Sequence, residues 1–115
     1  MILYYLVTKS SKYIFIYMRE QIINALKTVY DPEIPVDIWE LGLIYNIDIS
    51  DDNSVHILMT LTSPNCPVAE SLPLEVEQAV AMVEGIKSVD LDLTFEPPFT
   101  SEMMSEEARF SLGMM

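Results

Sequence analysis

Between residues 19 and 30 the apolar positions Ile22, Ile23, Leu26, Val29 and Tyr30 recur three and four apart. That spacing lays one stripe along a helix. Asp31-Pro32 stops it, because the residue before a proline is pushed out of helical backbone. The pattern then changes period. Tyr45, Ile47 and Ile49 alternate with Asn46, Asp48 and Ser50, a strand with one solvated face. Asp51-Asp52-Asn53 supplies turn chemistry. The return strand carries Val55, Ile57, Met59 and Leu61 on one face and His56, Leu58, Thr60 and Thr62 on the other, so residues 45–62 predict a β-hairpin.

Ser63-Pro64-Asn65-Cys66-Pro67 reads as a loop that feeds a short turn of helix. A fuller helix is expected from about residue 73 to 84, with Val76, Ala79, Val80 and Val83 inward and Gly85 ending it. Val89, Leu91, Leu93 and Phe95 alternate with Asp90, Asp92, Thr94 and Glu96, and Pro97-Pro98 closes that strand. Ser105 is placed to cap a last helix whose first turn holds Glu106 and Glu107. The long crossover between the second and third strands makes them parallel. The order helix-strand-strand-helix-strand-helix thus predicts an α/β fold, a two-layer sandwich with a mixed three-stranded sheet packed with helices. Short extended or turn structure is expected from the Asp31–Pro35 loop through Leu41-Gly42.

The first seventeen residues fit this scheme poorly. Two apolar runs, at 2–7 and 13–17, flank Thr8-Lys9-Ser10-Ser11-Lys12. They read either as a strand or hairpin or as residues ahead of a functional start at Met18. The expected division is therefore an N-terminal extension, 1–17, and a domain, 18–115. The lysines follow the first apolar run, which is the wrong order for a secretory signal. Neither run approaches the roughly 20 residues that span a bilayer.

Composition narrows the partners. The chain has 115 residues, 18 acidic and 6 basic, for a formal charge of −12. Such a surface repels phosphate backbones, so nucleic acid is not expected, nor a membrane. It suits cations or a basic protein. One cysteine leaves no internal disulfide and no paired-cysteine zinc pattern, which fits a reducing compartment.

Cys66 is the candidate chemical centre, because a thiolate between a strand end and a helix start is favoured by the backbone N–H groups there. By position alone a small buried hydrophobe is the competing role. Asp31 and Glu33, in a proline-braced loop, offer oxygen ligands or a general base, against ordinary turn chemistry. Hairpin topology brings this loop and the Cys66 loop to one edge, which predicts a shared site. His56 is a minor candidate, with nothing in the spacing that pairs it with Cys66.

Six motifs carry a resemblance: Asp31-Pro32-Glu33-Ile34-Pro35-Val36, Leu41-Gly42-Leu43-Ile44-Tyr45, Met59-Thr60-Leu61-Thr62-Ser63-Pro64-Asn65-Cys66-Pro67, Leu72-Pro73-Leu74-Glu75-Val76-Glu77, Pro97-Pro98-Phe99-Thr100 and Met104-Ser105-Glu106-Glu107-Ala108-Arg109. In this order the chain resembles the SufT/PaaD-like family of iron–sulfur cluster assembly domains, from about residue 22 to 113. Phe99 departs from the tryptophan often found at its position, and residues 1–17 have no counterpart in compact members. The resemblance implies an α/β sandwich, a cytoplasmic protein and a reactive cysteine at Cys66, a thiol or a metal or cluster ligand, with Asp31, Glu33, Thr60, Thr62 and Asn65 in support.

The function it implies is an accessory factor in iron–sulfur cluster assembly or protein maturation, not an enzyme, acting on assembly machinery or client apoproteins. No stably bound cofactor is expected, only transient iron or a transient cluster. One thiolate cannot hold a cluster, which generally takes four ligands, so a homodimer or a partner would have to complete the set. The alternative is a non-catalytic PaaD-like subunit of a multicomponent aromatic-ring oxygenase. An independent cysteine enzyme is the third reading and lacks a base beside Cys66.

Overall fold

Ile47, Ile57 and Leu91 lie side by side across three hydrogen-bonded strands. The strands are β1 (Ile44–Ile49), β2 (Ser54–Met59) and β3 (Ser88–Leu93), with β2 in the centre. The structure, a computed structural model, describes residues 11–32, 34–62 and 71–113. The β1–β2 pair is antiparallel, with Asp48 opposite His56 and a bulge between Ile44 and Asn46. The β2–β3 pair is parallel, with Val55 opposite Val89 and Met59 opposite Leu93. This is the predicted mixed sheet and the predicted order of elements.

The helices are α1 (Ser11–Leu26), α2 (Ile38–Leu41), α3 (Ser71–Ala81) and α4 (Glu106–Ser111), with a 3-10 turn at Ser101–Met103. α1 packs against α3 and β1, and α3 against β3. Between them Ile22 and Leu26 of α1, Leu72, Val76 and Val80 of α3 and Val55, Ile57 and Met59 of β2 form one buried aliphatic core. The period-2 and period-3.6 patterns therefore meet face to face, which is why the sequence commits to two layers.

Four details depart from the expected elements. α1 begins at Ser11, so residues 13–17 are helical rather than an arm of a strand or hairpin. Adding residues to a helix already anchored by Met18, Ile22 and Leu26 needs only local hydrogen bonds, whereas a strand needs a partner. Its buried stripe nevertheless starts at Met18, and Ile14, Ile16 and Tyr17 are exposed. The apolar run at 2–7 lies outside the described residues.

α1 also ends before Tyr30. Thr28 and Val29 donate to the carbonyls of Ala25 and Leu26, three residues back, which tightens and closes the helix. Tyr30 then forms a bridge with Asp37 and is exposed instead of lying on the helical stripe. The expected turn through Leu41-Gly42 contains α2. Asp37 caps it by accepting from the Glu40 N–H at 3.0 Å, and Gly42 ends it at φ +83°.

α3 starts at Ser71, ahead of Pro73. A proline in the first turn removes an N–H that would have had no partner in the helix anyway. It stops at Ala81; Val83 donates to the Val80 carbonyl, Gly85 turns the chain at φ +93°, and Ile86 donates back to the Val83 carbonyl. The last helix is as predicted: Ser105 Oγ accepts from the Ala108 N–H at 3.0 Å, with Glu106 and Glu107 in the first turn.

Candidate functional site

The proline-braced loop after α1 is built by Asp31. Its Oδ1 accepts from the Ile34 N–H at 3.0 Å, and its own N–H donates to the Val36 carbonyl at 3.2 Å. Val36 N–H returns to the Ile34 carbonyl at 2.7 Å, and Ile38 N–H to the Val29 carbonyl at 2.9 Å. The loop is thus closed on itself at both ends. Asp31 is buried, 6% exposed, with a turn-building role for at least one carboxylate oxygen. Glu33 lies outside the described residues.

Thr60 and Thr62 continue β2 past its regular end. Thr60 is fully buried; its N–H donates to the Leu43 carbonyl at 2.8 Å, and its hydroxyl makes a long 3.5 Å contact with the Leu61 carbonyl. The Thr94 N–H meets the Met59 carbonyl at 2.8 Å from the other side. Thr60 was expected on the polar face. It is buried where its N–H is held by the Leu43 carbonyl, one residue beyond the Met59 carbonyl that Thr94 engages. Thr62 is half-buried.

Residues 63–70, with Asn65 and Cys66, link Thr62 to Ser71 and lie outside the described residues, as does the expected position of Cys66 at a helix start. The anchors on either side are clear. Thr62 follows the carboxyl end of β2, beside the carboxyl end of its parallel neighbour β3. In open α/β sheets ligand crevices form outside such ends. Ser71 and Leu72, at the start of α3, line a small cavity of about 130 Å³ with Tyr30 and Pro32. The Asp31 loop therefore lies beside the start of α3, the first described residues after Cys66.

His56 has a different setting. It sits in the central strand on the face away from the helices, and its Nε2 lies 2.8 Å from Asp92 Oδ2. The hydrogen bond that the His56 ring donates to Asp92, aided by the charges of Asp92, Asp90 and Asp48, raises its pKa above the usual histidine value against a smaller effect of desolvation. In the sequence Asp90 and Asp92 stand out only as the polar half of an alternating strand. The signal that finds them is the parallel crossover itself, because the register it creates puts Asp90 opposite His56.

Residues 19–107 match the family described as "Iron-sulfur cluster assembly protein", and the chain belongs to that family. A Porphyromonas gingivalis protein named "Fe-S protein maturation auxiliary factor" is 50% identical over 101 residues, covering 88% of this chain and 96% of that protein. The Bacillus subtilis factor YitW, of the same name, is 41% identical over 97 residues, covering 84% and 95%. A solved structure, a domain of unknown function from Bacillus anthracis, superimposes with a TM-score of 0.81 at 31% identity, over 86% of this chain and 94% of that one. The family resemblance carried by the six motifs is borne out. No helix among the described residues is long and apolar enough to cross a membrane.

Proposed function

We propose that this chain is an accessory factor in iron–sulfur protein maturation whose chemistry is centred on Cys66. The accessory role follows from membership of the assembly family and from near full-length relatives named as maturation auxiliary factors. These relatives lend nothing to the alternative of an aromatic-ring oxygenase subunit. The observation that carries the choice of centre is where the connection 63–70 is anchored. It follows the carboxyl end of β2, beside that of the parallel strand β3, and returns to a helix start next to the Asp31 loop.

In this reading Cys66 offers a soft sulfur ligand to iron, a cluster or a client. Asn65 and Thr62 precede it in the chain, Thr60 holds the strand end, and Asp31 and Glu33 belong to the neighbouring loop that meets the start of α3. Iron or the cluster is cargo, held transiently, since one thiolate leaves most of a cluster's ligand positions to a second copy or a partner. The protein works without turnover chemistry of its own, among assembly machinery and client apoproteins in the cytoplasm. Its charge of −12 favours basic surfaces on those partners.

Complementation tests this. In a strain lacking the endogenous gene, Cys66→Ser is expected to fail to restore a cluster-dependent dehydratase, while its thermal unfolding matches the parent. Full restoration by the serine variant would reduce the domain to a docking module. Because a misfolded variant would also fail, Cys66→Ala with a parent-like melting curve provides the second reading of the same position.

A further inference from the structure

The face of the sheet that points away from the helices carries a cluster that the maturation reading leaves unused. His56, the chain's one histidine, is central in it. Its partner across the antiparallel pair is Asp48, and across the parallel pair Asp90. Asp92, two residues further along β3, faces the same way. One donor atom from each of His56, Asp90 and Asp92 can be chosen so that all three lie within 4.8 Å of one another. We propose that His56, Asp90 and Asp92 form a surface binding site for a divalent first-row transition ion, with Asp48 alongside and water in the remaining positions.

Geometry supports this first. Such ions hold imidazole nitrogen and carboxylate oxygen at roughly 2.0–2.2 Å, which puts neighbouring donors about 3 Å apart. His56 Nε2 and Asp92 Oδ2, at 2.8 Å, already stand at that separation. Asp90 is exposed, and closing a separation of at most 4.8 Å to about 3 Å takes a movement of up to roughly 2 Å, within the reach of side-chain rotation. The Cα positions beneath are fixed by ladder hydrogen bonds on both sides of β2, and a site on paired strands is held better than one on a loop.

Chemistry and charge point the same way. An imidazole with carboxylates is a mixed nitrogen and oxygen set, suited to Mn²⁺ through Zn²⁺, whereas Mg²⁺ and Ca²⁺ prefer oxygen alone. Among the described residues no lysine or arginine is paired with Asp48, Asp90 or Asp92. Three carboxylates around one imidazole repel each other, and a divalent ion relieves that repulsion while the imidazole gives its proton to solvent. None of the proposed ligands is Cys66, so the site stands or falls separately from it.

The test is titration of chelator-treated, untagged protein with Co²⁺ and, separately, Zn²⁺, following heat and the NMR signals of the His56 ring. One saturable equivalent is expected, with Co²⁺ moving or broadening the His56 signals. Asp90→Asn with Asp92→Asn should weaken binding at least tenfold, and so should His56→Gln. Cys66→Ser should leave it unchanged, and millimolar Mg²⁺ should not displace the ion. Absence of saturable binding would overturn the proposal. So would a smaller loss in either variant, loss of binding in Cys66→Ser, or displacement by Mg²⁺.

Discussion

The two faces of the sheet are made by the same three strands and by alternate residues of the same segments, yet they obey different rules. On one, Val55, Ile57 and Met59 are sealed under α1 and α3. On the other, one residue along each time, Asp48, His56, Asp90 and Asp92 stand in or near solvent. At one end of this second face Leu58 and Tyr45 border a shallow recess with Pro97 and Met103, and Tyr45 donates from its hydroxyl to the Pro97 carbonyl at 2.8 Å. The closed face is a place where shape sets stability. The open face tolerates charge because water screens it, and that freedom lets chemistry gather there.

Adjacent residues give the sharpest way to break this contrast. Ile57→Ala, at a site with no exposure, should cost about 2–5 kcal/mol in urea unfolding, from lost burial and an incompletely filled cavity. Leu58→Ala, half-buried on the opposite face, should cost about 1 kcal/mol or less. Equal costs would mean that the faces do not differ as described. Gly42→Ala should fall between, at roughly 1–3 kcal/mol. Its φ of +83° strains an L-residue, and a new Cβ would run into the Met103 carbonyl, where the chain end closes over the recess. A fully stable Gly42→Ala protein would show that this closure is dispensable.

The smallest effect concerns charge on the open face. In chelator-treated protein His56 should titrate with a midpoint above 6.5, and Asp92→Asn should bring it down, read by NMR of the ring. The sign for stability follows. A histidine whose folded pKa is raised contributes fully below its unfolded value, and the contribution fades as pH rises through the folded one. The pair is exposed and screened, so the change in unfolding midpoint should be slight. An unchanged His56 midpoint in Asp92→Asn would remove Asp92 as its partner.

Local pattern accounts for much of what is seen. The alternation at 45–49 and 55–61 foretold the hairpin, the long crossover foretold parallel β2 and β3, and Ser105 foretold a cap. α1 ends before Tyr30 because Asp37 draws Tyr30 into a bridge, and that partner is not local to the helix. Its start at Ser11 adds local hydrogen bonds to a helix anchored from Met18 onward. The candidate site divides the same way. Motifs single out Cys66, Asp31 and Thr60 in the sequence. That Asp31 is buried and ties its own loop, and that Thr60 is buried and held by the Leu43 carbonyl, needs the folded chain.

By itself, then, the sequence determined periods, stops and caps, because these depend on neighbours within one turn or one strand, and through its motifs it determined the family. Only the tertiary structure decided which distant residues meet. His56 and Asp92 are 36 positions apart and become hydrogen-bonded because a parallel register aligns β2 with β3. Pro32 meets Ser71 because α1 and α3 pack side by side. Such contacts arise from burying the aliphatic core, a collective gain that no single segment carries, and the polar face inherits its geometry from that burial.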